Sequence, residues 1–170
     1  MKIKTMIALT AAAILAGCAS APKVDNSVVG AFELNHYLGD WYEIARFDHT
    51  FERGVEEAKA TYSLRDDGKV EVRNSGVKDG KPKVAKGVGK TTETPGLLRV
   101  TFFWPFYADY RVMALDKAYT AALVGSGGAD YLWILSRSPR LDHKMKESLL
   151  NEAVRRGYDT SKLLWIRQKE

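Results

Sequence analysis

One cysteine in 170 residues leaves no intramolecular disulfide to form. The three histidines, His36, His49 and His143, are far apart and lack the short spacings that hold a metal ion. No nucleophile motif accompanies them, and no glycine-rich phosphate loop leads into a helix. Catalysis, a metal and a bound cofactor therefore find no support. The excess of positive charge is mild: the formal net charge is +5, and no stripe of Lys or Arg gathers on one helix. That excludes the electrostatic footprint of a nucleic-acid binder. Long apolar runs are missing apart from Met6 to Ala16, which is too short to span a bilayer.

That run has its own context. Lys2 and Lys4 give a short basic start, and Leu15-Ala16-Gly17-Cys18 closes the segment. The pattern fits a secretory signal over residues 1–17. Its last four residues look like the lipobox of bacterial lipoproteins, in which the thiol is diacylated and the preceding segment removed. Cys18 is then a lipid anchor to the membrane. Ala19 behind it suits outer-membrane sorting, because no Asp signals retention. Removing residues 1–17 takes two lysines and no acid, leaving +3. Residues 18–30, small, polar and punctuated by Pro22 and Gly30, read as a tether to a domain over 31–170.

In the domain the hydrophobic period is two. After a short helical turn over Phe32 to Leu38, Gly39-Asp40-Trp41 opens a strand with Trp41, Glu43, Ala45 and Phe47 on the inner face and Tyr42, Ile44 and Arg46 on the other. Glu43 on the inner face calls for a basic partner near the floor. Ala60, Tyr62 and Leu64 alternate with Thr61, Ser63 and Arg65; Asp66-Asp67-Gly68 then turns the chain into Val70, Val72 and Asn74. Asp79-Gly80 and Thr94-Pro95-Gly96 bracket Lys83 to Thr91, whose inner face the pattern leaves open. Leu98, Val100, Phe102 and Trp104 share a face until Pro105 breaks the ladder. Tyr110, Val112 and Ala114 follow, then a turn at Asp116, a strand from Tyr119 to Val124, and an eighth strand from Tyr131 to Arg137.

Beyond Ser138-Pro139 the period becomes helical, with Met145, Leu149 and Ala153 on one side, Asp142 as N-cap and Gly157 at the stop. Leu163 to Gln168 reads as a last short strand. Eight sequential strands on short connections predict an all-β fold: an eight-stranded up-and-down antiparallel β-barrel with one C-terminal α-helix packed outside. A β-sandwich is the alternative. In the barrel, Trp41, the Asp116–Tyr119 turn and Arg137 fall at one end, where a guanidinium stacked on the indole would seal the floor.

Gly39-x-Trp41, Asp116-x-x-Tyr119 and Arg137 match, in order, the three short regions shared by the lipocalin family. The stretches Trp41 to His49, Thr61 to Gly68 and Tyr131 to Arg137 resemble the bacterial outer-membrane lipoprotein branch, kin of apolipoprotein D, and the similarity covers about residues 32–168. The resemblance implies a binding protein, not an enzyme. It would be anchored by lipid at the outer membrane, facing the periplasm, and would hold a fatty acid or lysophospholipid in its barrel.

On that analogy Tyr62, Asn74 and Trp133 touch ligand, with Val72, Phe102, Trp104, Tyr110 and Val112 beside them, and Ala45 and Val100 completing the wall. Gly39, Trp41, Asp116, Tyr119 and Arg137 are structural closure. The other reading of the same side chains is a filled barrel whose rim binds a protein. Trp104-Pro105-Phe106-Tyr107 fall at the open end beside Phe51. There the aromatics could guide lipid, rest on a membrane, pack on their own loops or bury each other in a homodimer.

Overall fold

A computed structural model describes residues 23–169; the segment 1–17 and Cys18 lie outside them. Eight strands follow one another around a ring: β1 (Gly39–Arg46), β2 (Val55–Leu64), β3 (Val70–Lys78), β4 (Lys81–Thr91), β5 (Leu97–Phe103), β6 (Phe106–Leu115), β7 (Ala121–Gly125) and β8 (Leu132–Ser136). Each pairs antiparallel with the next, and β1 pairs with both β2 and β8, which closes the ring and removes its edges. A single turn of helix, α1 (Leu34–Tyr37), leads into β1. After β8 come α2 (His143–Arg155), a 3-10 turn (Thr160–Lys162) and β9 (Leu164–Trp165), which adds to β1.

The connections sort into two ends. Residues 47–54, 79–80, 104–105 and 126–131 ring the open end. Residues 65–69, 92–96 and 116–120, with α1, lie at the closed end. The final strand expected over Leu163 to Gln168 is β9, with two residues, Leu164 and Trp165, paired to β1.

Two apolar layers hold the molecule together. Inside the barrel Trp41, Tyr62, Val70, Val72, Leu98, Val112, Val124 and Leu135 are buried. Outside, Ile44, Ala45, Phe47, Met113, Leu123, Leu132 and Ile134 pack against Leu149 and Ala153 of α2 and against Tyr158. Every residue of β7 is buried, because one face meets the interior and the other meets this layer. As the sequence suggests, Asp142 caps α2: its Oδ1 accepts hydrogen bonds from the backbone N–H groups of Lys144 (2.9 Å) and Met145 (3.1 Å). Gly157 follows the helix at φ +88°, a value that a side chain would strain.

The alternation read along the first strand breaks midway. A bulge between Glu43 and Ala45 shifts the pairing with β8, so Ala45 lies opposite Ile134 and Arg46 opposite Trp133. The extra residue reverses the face of everything after it. Ala45 and Phe47 therefore belong to the outer layer, and Arg46 turns inward.

The segment before α1 lies against the barrel. Val29 donates its N–H to the carbonyl of Val112 (2.9 Å) and Asp25 to that of Arg156 (2.8 Å). Arg156 gathers the strands of this contact. Its guanidinium donates to the carbonyls of Ser27 (2.7 Å) and Met113 (2.7 Å), and to Glu152 Oε1 (2.7 Å). Arg156→Ala should release residues 24–28, seen as fast amide exchange there, and cost about 2–3 kcal/mol in chemical denaturation. Unchanged protection of those amides would refute the clip.

Candidate functional site

The closed end is built around Trp41, whose ring is fully buried. The Arg137 guanidinium carbon lies 4.0 Å from the centre of that ring. The same guanidinium donates to four carbonyls: His36 (2.8 Å), Leu38 (2.8 Å), Asp40 (2.8 Å) and Tyr119 (3.2 Å). It thus binds the entry of β1 to the β6–β7 turn, and only a planar fork of donors satisfies this geometry. Asp116 holds that turn by accepting from the N–H groups of Ala118, Thr120 and Ala121. Tyr119 sits at φ +56° within it, and its hydroxyl accepts from the N–H of Glu33 (2.8 Å). Gly39 has φ +96°, and a Cβ there would lie 3.2 Å from Arg137 Nη1. Only glycine serves at that position.

Above the floor three phenols meet. Tyr37 and Tyr110 share a hydrogen bond of 2.6 Å, and Tyr62 donates to Tyr110 at 2.9 Å. Burial raises all three hydroxyls above the ordinary tyrosine value, so each keeps its proton. Two hydrogen bonds use two of three protons. One phenol donor, on Tyr37 or Tyr110, remains for another acceptor.

Nearer the mouth the interior is ionic. Arg46, 2% exposed, pairs with Glu43 and donates to the carbonyls of Glu52 (2.7 Å) and Val55 (3.0 Å). The basic partner of Glu43 is therefore on its own strand, on the open-end side, not at the floor. Burial, reinforced by the negative charge of Glu52, pushes Glu43 up to about 8 despite Arg46. Burial raises Glu52 as well; its carboxylate accepts from Trp133 Nε1 at 3.2 Å. Arg46 pairs with the Glu43 carboxyl and meets Glu52 at its main-chain carbonyl, and the raised Glu43 carboxyl keeps its proton near neutrality. His49 stacks on Phe51 with centroids 5.2 Å apart and meets Trp133 at 4.8 Å. Burial, then the charge of Arg46, lowers it to about 4, which leaves it neutral. Lys83 reaches across to the carbonyl of Phe51 (3.0 Å).

The expected site residues distribute over this frame. Val72, Val112, Tyr62, Tyr110 and Val100 belong to the inner layer, as does Trp133. Asn74, two residues beyond Val72, pairs with Ala60 and Ala85, and its buried Oδ1 has no partner among the described residues. Phe102 lies over Gly87, where a Cβ would meet its ring at 3.0 Å. Gly87 and Gly89, opposite Val72 and Val70, form the inner face of β4 that the sequence pattern left open. Trp104 stands apart: at 82% exposed it occupies the tip of the β5–β6 hairpin and lines nothing inside. Strand order also sets that hairpin across the mouth from Phe51, not beside it. Tyr37, Arg46, His49 and Glu52 went unread as site residues. Tyr37, four before Trp41 on a helical turn, carried a signal; Arg46 was hidden by the bulge.

Two consequences can be measured. Arg137→Ala should cost about 3 kcal/mol, with Arg137→Lys rescuing less than half, because an ammonium cannot reach four carbonyls and stack at once. Equal stability of the two variants would contradict this account. Glu43 binds its proton more tightly folded (about 8) than at its usual value of 4.5, so its stabilisation is full below 4.5 and lost as pH rises through about 8. The melting temperature should fall by several degrees from pH 6 to pH 9, and Glu43→Gln should flatten that slope.

Comparison with known proteins agrees with the geometry. A family model described as a lipocalin-like domain matches residues 32–168. The Outer membrane lipoprotein Blc of Citrobacter freundii is 45% identical over 171 residues, covering 98% of this chain and 97% of that protein. The protein of the same name in Vibrio cholerae is 37% identical over 98% of this chain and 100% of its own length. Apolipoprotein D of Macaca fascicularis is 32% identical over 88% of this chain and 81% of that protein. Among solved structures, insecticyanin from the tobacco hornworm Manduca sexta superposes with a TM-score of 0.67 at 22% identity, covering 90% of this chain and 87% of that one. The family is one of binding proteins, not of enzymes, and the relatives place this chain at the outer membrane, held by lipid. With its sealed floor, its ring of eight strands and these relatives, the chain belongs to the lipocalin family.

Proposed function

We propose that the barrel binds a fatty acid or lysophospholipid one molecule at a time and carries or stores it on the periplasmic side of the outer membrane. One observation carries the reading: the interior and its mouth hold buried polar atoms with no protein partner among the described residues, Arg46 Nε, His49 Nε2 and Asn74 Oδ1. Leaving such groups unpaired costs about 1–3 kcal/mol each, and a polar head group entering the barrel would remove that cost. The acyl chain would run along Val72, Val100 and Val124, beside Gly87 and Gly89 of β4, with Phe102 lying over the first of these glycines.

The charge around these atoms favours a zwitterionic head. Glu43 and Glu52 stand beside Arg46, with Lys83 farther out at the mouth, so a fatty-acid carboxylate meets acids as well as cations. A lysophospholipid offers its ammonium group to the acids and its phosphate to Arg46 and to Lys83 at the mouth. An acid near 8 gives up its proton when a cation arrives, so uptake of such a head should strengthen as pH rises from 6 to 8.

Native mass spectrometry of the chain from residue 19, titrated with lysophosphatidylethanolamine and with oleic acid, tests the reading. A one-to-one adduct is expected, tighter for the lysolipid. Asn74→Ala and Trp133→Ala should weaken it about tenfold each. Protein that stays bare with both lipids would sink the proposal and leave a filled barrel.

A further inference from the structure

The phenol cluster deep in the barrel is one acceptor short. Tyr62 donates to Tyr110 at 2.9 Å, and Tyr37 and Tyr110 share a bond of 2.6 Å, so three hydroxyl protons make two bonds. Among the described residues none of the three hydroxyls has a further partner. A buried donor left unmade costs free energy, so the place of the spare proton matters. If Tyr110 donates to Tyr37, that proton sits on Tyr37, which is 1% exposed and ringed by Phe32, Trp41 and Tyr62 at centroid distances of 5.1, 4.7 and 5.6 Å. Packed rings leave no room there for an acceptor. If Tyr37 and Tyr62 both donate to Tyr110, its oxygen has a lone pair for each, and Tyr110 is free to turn its own proton outward.

Tyr110 is the member of the trio that meets open space. It and Val100 belong to the inner layer yet are only partly covered, surface that an inward side chain of a closed ring shows to space inside the barrel. The position is deep. Tyr110 pairs with Leu98, the second residue of β5, and Tyr62 pairs with Gly39, the first of β1; both strands start at the closed end. Arg46 stands seven residues along β1 from Gly39, about 23 Å of strand and about 18 Å of height at the usual barrel tilt. That height is comparable with an extended palmitoyl chain. A chain whose head group sits at Arg46 therefore brings its far end to Tyr110.

What arrives there must be uncharged. The burial that keeps the three phenols protonated would penalise a carboxylate or a phosphate in the same place. Arg137, the guanidinium of the floor, is committed to four carbonyls and to the face of Trp41. An alcohol or ketone oxygen accepts a hydrogen bond without bringing charge, and a methyl end accepts none.

We infer that Tyr110 forms a second polar subsite at the base of the barrel, which hydrogen-bonds a neutral oxygen at the far end of an acyl chain. The inference rests on the proposed lipid binding and deepens it by naming a ligand class: chains oxygenated at or near the end remote from the head group.

Calorimetric titration of the chain from residue 19, which keeps every described residue, compares palmitate with ω-hydroxypalmitate. The added hydroxyl must leave water, so a purely apolar floor would bind the hydroxylated chain more weakly. The wild-type protein should bind it at least as tightly as palmitate. Tyr110→Phe should weaken ω-hydroxypalmitate about tenfold and leave palmitate within about twofold. Tyr62→Phe keeps the Tyr37–Tyr110 pair with its spare proton and should retain the wild-type preference. Weaker binding of ω-hydroxypalmitate by the wild type, or the same ratio of affinities in Tyr110→Phe, would overturn the inference and give the subsite to water. A palmitate with a ketone beside its terminal methyl supplies a reading that needs no variant. Bound to the wild type, its carbonyl stretch should lie below its position in hexane; a band at the hexane position would equally overturn the inference. Palmitate itself reports on the proposed function. A protein that takes neither chain refutes lipid binding, whereas one that takes palmitate and disfavours the oxygenated chain refutes the subsite alone.

Discussion

A single guanidinium decides whether this barrel is a cup or a tube. Arg137 sits under Trp41 and ties four carbonyls drawn from α1, β1 and the β6–β7 turn, segments far apart in the chain. Its stacking on the indole and its hydrogen bonds need one another. The guanidinium carbon lies 4.0 Å from the ring centre while the fork reaches the carbonyls, and the ring is fixed in turn because its own N–H reaches the carbonyl of Tyr37 (2.7 Å). From this knot the rest follows. β1 leaves the floor at a set angle, Tyr37 is driven into the interior beneath Tyr62 and Tyr110, and the inward faces of all eight strands acquire a common base.

Above that base the interior changes character with height. The phenols are polar but uncharged, and burial holds them so. Higher up, the paired acids and Arg46 make a site whose charge adjusts to what enters. A fixed buried charge would reject every ligand of the same sign. An acid poised near neutrality accepts a neutral tail with its proton on and a cationic head with its proton off. The barrel thereby combines a permissive wall with a selective rim of chemistry.

How far the sequence revealed this depended on whether the signal was local. The closure was legible because Gly39, Trp41, Asp116, Tyr119 and Arg137 are each demanded by backbone geometry or stacking that few other residues satisfy. The strands were legible where turns such as Asp66-Asp67-Gly68 bracket clean alternation. Parity failed at Glu43-Ile44-Ala45-Arg46, because a bulge costs one residue and leaves no mark in composition, yet it exchanges Ala45 for Arg46 on the inner face. The inner face of β4 was silent because Gly87 and Gly89 carry no side chain to read. The packing of residues 24–29 depends on Arg156, more than a hundred positions away, and no local pattern encodes such a partner.

The join between β1 and β2 is laced along only part of its height. Their ladder covers Gly39 to Tyr42; beyond it β1 turns to β9, while β2 donates the N–H of Glu57 to the carbonyl of Arg167 (2.8 Å). Between the diverging strands the Gln168 carboxamide donates to the carbonyls of Glu43 (2.8 Å) and Ala58 (2.9 Å). The wall is thus not a uniform weave: it has a vertical placket fastened by Gln168, by Arg46 on Val55, and by the ion pairs of Arg167 with Glu56 and Lys169 with Glu57. Girth in the upper half of the barrel is thus set by the C-terminal segment and not by a ladder between β1 and β2. A change in the C-terminal segment would therefore be felt along this seam, in the upper wall, and leave the floor undisturbed.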